Sequence, residues 1–295
     1  MTYVFEDSPF AVPGRWIKAG FHCHTVHSDG GLTPQATVAR YRELGFDCLG
    51  ITDHRGVTAV DDLGGNGILL IPSTENGGEP DILAIGVREA VAKTLPFAER
   101  VRRLADQGGF TVAAHPTHCA LTPEALAACP DLMAMEIYNA YCEEAYGSGV
   151  ATELWDMMLG QGKRLWGVAG DDAHLNPQKR HYSDAGRAWV EVWAGQLQSE
   201  AVLDALKRGA FYSTQGPKFE RIEVSRSGIS IQTTPVVQIR WRTYGPRGFV
   251  VHAPPGAALN HASLPDPFEP AGFVRIELVD GGGMKAWSNP LFLAS

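Results

Sequence analysis

No stretch of the 295 residues approaches the ~20 consecutive apolar positions a membrane helix needs, so no membrane partner is expected. Positive charge is in short supply. Twenty-five Lys and Arg against 33 Asp and Glu leave a net charge of −8, which argues against a nucleic-acid-binding surface. Several bound dications would offset part of that negative charge. Cysteine is scarce and shows no pairing pattern: Cys23, Cys48, Cys119, Cys129 and Cys142 are odd in number, with no C-x-x-C. That fits reduced thiols better than a disulfide framework. Residues 1–14 show no basic start followed by an apolar run, so no signal peptide is expected and a cytoplasmic location is. Neither a G-x-S-x-G elbow nor a P-loop is present, so no serine nucleophile of that kind is expected.

What is present reads as a globular α/β protein. Hydrophobic residues make up 44% and charged residues 20%, enough apolar surface for one large domain and a small one. Strand-like runs at 16–23, 47–52, 68–73, 82–87, 110–114, 132–137 and 164–169 alternate with helical stretches at 34–44, 96–107, 123–128 and 151–159. Such alternation with short connectors predicts a parallel sheet or a β/α barrel. Thr33-Pro34 and Thr122-Pro123 each mark a helix start, an N-cap followed by proline at the first helical position. From about residue 216 the pattern changes to period two, as in Val236-Val237-Gln238-Ile239-Arg240-Trp241-Arg242 and Val274-Arg275-Ile276-Glu277-Leu278. That predicts a first domain at 1–215 and a small antiparallel, sandwich-like β domain at 216–295.

The chemistry lies where strands are predicted to end. His22, His24, His54, Glu75, His115, Glu136 and Asp172 all fall at such C-terminal ends, which form one rim in a β/α barrel. In His22-Cys23-His24, side chains two apart share a face, and Asp172-Ala173-His174 repeats the device. Imidazoles and carboxylates crowded together suit manganese, iron or zinc, and would repel or desolvate badly without cations among them. Packing as a satisfied core histidine is the rival reading for His115, and a loop charge the rival for Glu75.

These residues resemble a known family. His22-Cys23-His24-Thr25-Val26-His27-Ser28-Asp29-Gly30, then Ile51-Thr52-Asp53-His54, Ala114-His115-Pro116 and Asp172-Ala173-His174 are similar, in order, to the motifs of the PHP (polymerase and histidinol phosphatase) superfamily. Phe211-Tyr212-Ser213-Thr214-Gln215-Gly216-Pro217 and Ala286-Trp287-Ser288-Asn289-Pro290 resemble its carbaryl-hydrolase-like (CehA/McbA) branch. The resemblance implies a distorted (β/α)7 barrel holding two or three divalent metals. It places His22, His24, Glu75 and Asp172 on one, Asp29, His54 and His174 on another, and a bridging Glu75 with His115 on a middle one. Asp81 stands where many relatives have the remaining histidine of that middle site.

Several nearby residues keep two readings. Asp53 is expected to make a supporting hydrogen bond and not a metal contact. His27 and His118 are candidate general acids or substrate contacts, or exposed loop histidines. Glu136 and Asn139 line the pocket or cap the next segment. Lys179, Arg180 and His181 are a phosphate clamp or a solvated surface run. The reaction expected is hydrolysis by water activated on the cations, with His118 or water protonating the leaving group and Arg180 and His181 binding phosphate. Small-molecule phosphate esters are the first expected substrate, and a carbamate, ester or amide the second. Outside catalysis, the chain reads as a metal-binding module serving a partner, or as a saccharide binder acting through its C-terminal strands.

Overall fold

The computed structural model describes residues 4–54, 56–64, 67–176, 184–225, 228–266 and 268–294. In chain order the first region contains β1 (Arg15–Gly20), α1 (Pro34–Glu43), β2 (Cys48–Leu49), β3 (Leu69–Leu70), β4 (Ser73–Asn76), β5 (Ile82–Ile85) and α2 (Phe97–Ala105). It continues with β6 (Phe110–Ala113), α3 (Pro123–Ala127), β7 (Ala134–Asn139), α4 (Ala140–Tyr146), α5 (Thr152–Gly160) and β8 (Trp166–Gly170). It ends with β9 (Trp189–Ala194), α6 (Ser199–Lys207) and β10 (Phe211–Thr214). Beyond these come β11 (Phe219–Ser225), β12 (Gly228–Val236), β13 (Gln238–Arg242), β14 (Phe249–His252), β15 (Leu259–Ser263), β16 (Phe273–Val279), β17 (Lys285–Ser288) and β18 (Leu291–Phe292). Among the described residues no helix is long and apolar enough to cross a membrane.

Local chemistry sets the helix starts. Thr33 and Thr122 accept hydrogen bonds from the backbone N–H of Ala36 and Ala125, at 3.3 and 3.2 Å, each with proline next in the chain. Asn139 caps α4 by accepting from Cys142 N at 2.8 Å, and Gly147, in the left-handed region, ends that helix.

The strands do not close into one barrel, which corrects the expected distorted (β/α)7 barrel. They fall into a ten-stranded sheet, running β14-β13-β16-β17-β10-β9-β1-β2-β3 with β18 beside β16, a five-stranded sheet β4-β5-β6-β7-β8, and a three-stranded sheet β11-β12-β15. Pro72 contributes to the break. It cannot donate to a ladder, so the run expected as one strand at 68–73 divides into β3 in one sheet and β4 in the other. The link between β4 and β5 is too short for a crossover helix, and the two pair antiparallel. At the end of the molecule that carries the histidines, single backbone contacts join the two sheets: a Cys23–Ala173 bridge, and Glu75 N donating to Thr52 O at 3.1 Å.

The five-stranded sheet is buried on both faces. Leu83, Ile85, Val112, Ala134 and Val168 face a core shared with Ile17, Val190, Val192 and Phe211 of the large sheet and with Val202 and Leu206 of α6. Ile82, Ala84, Ala113, Met135 and Ile137 turn the other way, onto α2, α3 and α5 through Val101, Leu104, Leu126, Trp155 and Met158. Each such Leu, Ile, Val, Met or Phe side chain contributes roughly 1.5–3 kcal/mol relative to exposure. That packing holds still the strand ends on which the polar cluster stands.

The strands after residue 216 are antiparallel, as expected, and the three-stranded sheet packs against β13, β16 and β17 around Phe219, Ile231, Ile239, Trp241 and Ile276. β17 pairs with β10, so the large sheet continues without interruption across residue 216.

Candidate metal centre

Beyond β1 the chain stays extended. His24 N donates to Ala173 O at 2.8 Å and Thr52 N to Cys23 O at 2.9 Å, so His22 and His24 project to one side. Cys23 turns away, with its Sγ 3.7 Å from Gly50 O. β4 delivers Glu75, and the turn after β8 delivers Asp172. The four meet in a buried cluster. His22 Nε2 lies 3.2 Å from Glu75 Oε2 and 3.3 Å from Asp172 Oδ1, and His24 Nε2 lies 3.3 and 3.1 Å from the same atoms. Donors held about 2.0–2.1 Å from one tetrahedral ion stand roughly 3.3 Å apart, so the spacing suits a cation. His22 Nε2 is buried without a hydrogen-bond partner, a costly arrangement unless that lone pair has a ligand to bind.

A second group, His24, Asp29 and His54, lies on the open side. Asp29 Oδ2 is 3.3 Å from His174 Nε2 and 3.8 Å from His54 Nε2. A third comprises Asp81, His115 and Cys119. His115 Nε2 is 2.8 Å from Glu75 Oε1 and 4.0 Å from Asp81 Oδ2, so Glu75 faces the first group with one oxygen and the third with the other.

The electrostatics call for positive charge. Burial opposes an imidazolium at His22, yet the carboxylates of Asp172, Glu136 and Glu75 outweigh it and raise its pKa well above the ordinary value. His24 is likewise pushed up to about 9, burial being overcome by Asp172 and Glu75. His115 is pushed up to about 11, where hydrogen bonds to Cys119 and Glu75 and nearby carboxylate charge overcome burial. Glu75, in spite of burial, is held well below the usual carboxylate range by His22, His115 and His24. Bound dications meet the same demand while taking up the nitrogen lone pairs.

Backbone strain gathers here. Of the four non-glycine residues with positive φ among those described, His115 (φ 30°) and Asp172 (φ 54°) carry donor atoms of the cluster. Close approach needs glycine at two positions. A Cβ on Gly170 would stand 2.5 Å from Glu136 Oε1, and one on Gly30 only 2.4 Å from His24 O.

The supporting residues fill out the site. Glu136 Oε1 takes His22 Nδ1 at 2.8 Å, and its Oε2 takes His115 N at 2.8 Å and Asn139 Nδ2 at 3.0 Å. Asn139 also donates to Asp172 Oδ2 at 3.3 Å while capping α4, so it both lines the cluster and caps a helix. Asp53 turns from the cluster and accepts from Thr25 N, Thr25 Oγ1, Ser28 Oγ and Thr58 Oγ1 at 2.6–2.8 Å, pinning the loop that carries Asp29. Asp171 was not singled out from the sequence. It is fully buried, accepts from the backbone N–H of Gly186, Arg187 and Ala188 and from Tyr41, and burial pushes it up to about 6.

His54, Glu75, Asp81, His115, Cys119, Asp172 and His174 open into a cavity of about 660 Å³. Tyr141 and Tyr146 form its wall. His118 lines it too, exposed and 3.0 Å from Ser148 Oγ through Nδ1, with its ring centroid 5.8 Å from that of His115. His27 stands aside, 3.3 Å from Thr58 Oγ1. Lys179, Arg180 and His181 lie outside the described residues. Among the described residues Lys93 is the cationic side chain that lines an adjoining cleft, of about 370 Å³, with Ser28, Asp29 and His54. Neither Lys93 nor Cys119 carries a signal in the sequence: one is a lone loop lysine, the other a single cysteine four residues beyond His115.

No family model matches the chain, and no curated protein does. Solved structures do. A two-domain protein from Bacteroides vulgatus, described as containing a predicted PHP-like metal-dependent phosphoesterase, aligns over 93% of this chain and 95% of its own. The TM-score is 0.52 at 17% identity. The likeness is one of fold. A second structure, from Bifidobacterium adolescentis and provisionally described as a metal-dependent phosphoesterase, covers 54% of this chain and 88% of its own, with a TM-score of 0.41 at 18% identity. That overlap is too loose to carry an argument.

Proposed function

We propose that the protein is a metal-dependent hydrolase of PHP type, acting first on small-molecule phosphate esters. The observation that carries the reading is the buried quartet His22, His24, Glu75 and Asp172, with donor atoms 3.1–3.3 Å apart and His22 Nε2 left without a partner. In this reading His22, His24, Glu75 and Asp172 hold one cation and Asp29, His54 and His174 a second. Glu75, His115 and Asp81 hold a third where the middle site is filled. Manganese, iron and zinc all suit these donors. Bound there, such ions supply an activated water and a Lewis acid for the ester oxygen.

The chain's own residues do the rest. Glu136 fixes the His22 ring, and Asp53 fixes the loop that carries Asp29. His118, on the cavity wall and hydrogen-bonded at Nδ1 to Ser148, hands a proton to the leaving group in this reading. Lys93, with Arg180 and His181, supplies positive charge for a phosphate.

Carbamate or carboxylic ester cleavage at the same centre is the second reading. It rests on the sequence likeness of residues 211–217 and 286–290 to the carbaryl-hydrolase-like branch, and their pairing as β10 and β17 does not itself bear on the bond cleaved. A screen of phosphate monoesters, diesters and carbamates, with and without chelator, tests both readings. Turnover of a phosphate ester that chelator abolishes and Mn²⁺ or Zn²⁺ restores is expected. Turnover indifferent to chelator contradicts the proposal.

A further inference from the structure

The histidines of the cluster are not all oriented by the same kind of partner. His22 presents Nε2 to Glu75 and Asp172 while its Nδ1 meets a carboxylate oxygen of Glu136 at 2.8 Å. His174 presents Nε2 to Asp29 while its Nδ1 donates to the backbone oxygen of Asp172 at 2.9 Å. His115 follows the same plan with a different atom. Its Nε2 faces Glu75 Oε1, and its Nδ1 lies 3.2 Å from Cys119 Sγ.

We propose that Cys119 is the positioning residue of the His115 site, its sulfur accepting the Nδ1 proton so that Nε2 is left as the metal-binding nitrogen. The proposal rests on the metal-centre reading above and adds a residue to it. A neutral imidazole carries one ring proton, and an acceptor beside Nδ1 draws it there, leaving the Nε2 lone pair free. Cys119 is brought to that place by the backbone. Its N–H donates to His115 O at 3.1 Å, closing a turn that begins at the left-handed His115, with Ala120 (φ 50°) directly after it. In this proposal the sulfur beside Nδ1 orients the ring, and direct ligation by Cys119 together with His115 and Asp81, whose donor atoms also lie within 4.8 Å of one another, is the alternative the test below separates. A cation at Nε2 lies outward from the ring, on the side away from Nδ1. Asp81 and Cys119 thus divide two tasks: Asp81 offers an oxygen on the Nε2 side at 4.0 Å, and Cys119 fixes which nitrogen points to it.

The experiment is titration of the metal-free full chain with Zn²⁺ and with Co²⁺, for the wild type, Cys119→Ala and Cys119→Ser. Binding is followed by calorimetry, and Co²⁺ also by absorption. Losing an outer hydrogen-bond partner of a metal-bound histidine typically costs roughly 10- to 100-fold in affinity. Cys119→Ala is therefore expected to weaken one equivalent of metal by that factor and leave the others unchanged. Cys119→Ser, whose hydroxyl can still accept, is expected to recover most of it. Full-affinity binding of every equivalent by Cys119→Ala would overturn the proposal, reducing Cys119 to packing. A sulfur-to-cobalt charge-transfer band in the wild type, lost in Cys119→Ser, would overturn it differently, making Cys119 a direct ligand. A wild type that binds no cation would bring down the metal-centre reading and this proposal with it.

Discussion

Single atoms decide most of the behaviour expected at the site. Gly170 leaves room for Glu136 to reach His22, and a methyl group there would stand 2.5 Å from Glu136 Oε1. Gly170→Ala is expected to weaken metal binding about 10- to 100-fold without removing a donor, as loss of the partner of His22 Nδ1 would. Metal titration checks this, and wild-type affinity would show that the methyl group is accommodated without freeing the His22 ring. Lys93 makes a kinetic prediction. If it anchors a substrate phosphate, Lys93→Ala should raise KM roughly 10- to 100-fold with little change in kcat, because a charge-assisted hydrogen bond is worth about 1.5–3 kcal/mol in binding alone and each ~1.4 kcal/mol is a factor of ten. Steady-state kinetics on the best phosphate ester decide it, and an unchanged KM excludes the contact. At this scale the sequence was most legible where spacing repeats. His22 with His24 and Asp172 with His174 announce a shared face. Cys119 and Lys93 do not, because their roles come from a turn and a loop with no periodic pattern.

Elements place these atoms, and the helix most exposed to test is α5. Its Asp156 binds Arg275 of β16 through bonds of 2.6 and 2.7 Å and Arg242 of β13 at 2.8 Å, while Arg275 is 1% exposed and lies over the Trp155 ring. Although burial raises the pKa of Asp156, these arginines hold it below the ordinary value. The folded pKa is depressed, so the stabilisation is present above the unfolded pKa of about 3.9 and is lost as pH falls below it. Asp156→Ala would strip buried Arg275 of its hydrogen-bonded carboxylate and leave Glu277, 3.8 Å away, as the remaining counter-charge, at a cost of about 3 kcal/mol, the low end for a broken buried pair. Denaturant melts at pH 7 measure that cost. Repeating them at pH 3 is expected to shrink the gap between variant and wild type, and a constant gap would contradict the ion-pair origin. Helix starts were readable from Thr-Pro pairs, since capping is local chemistry. α4, β9, α6 and β10 were not identified, although Val202, Ala205 and Leu206 of α6 fall on one buried face. Residues 16–23 carry the pattern of one strand, yet β1 ends at Gly20 and a few isolated hydrogen bonds hold the rest.

For the whole molecule, alternating strands and helices were enough to foresee an α/β fold with antiparallel strands after residue 216. Barrel closure was not foreseeable in the same way. Whether β4 and β5 pair parallel or antiparallel, and which sheet takes the strand after Pro72, depend on partners far away in the chain. The large sheet crosses residue 216 through the β10–β17 ladder. A chain ending at residue 215 would keep β9 beside β10 but lose β17 from its other edge and uncover the buried Tyr212. It is expected to melt well below the full protein or to aggregate, by circular dichroism and light scattering. An equally stable truncated chain would show that the first region stands alone.

The central claim is that side chains from β4 and from the segments following β1 and β8 converge to hold divalent cations. Elemental analysis of the purified chain beside His22→Ala and Asp172→Asn tests it most directly. Two or more equivalents of manganese, iron or zinc per wild-type chain, with at least one equivalent lost in each variant, is the expected result. Background metal in the wild type, or full occupancy in both variants, would contradict it.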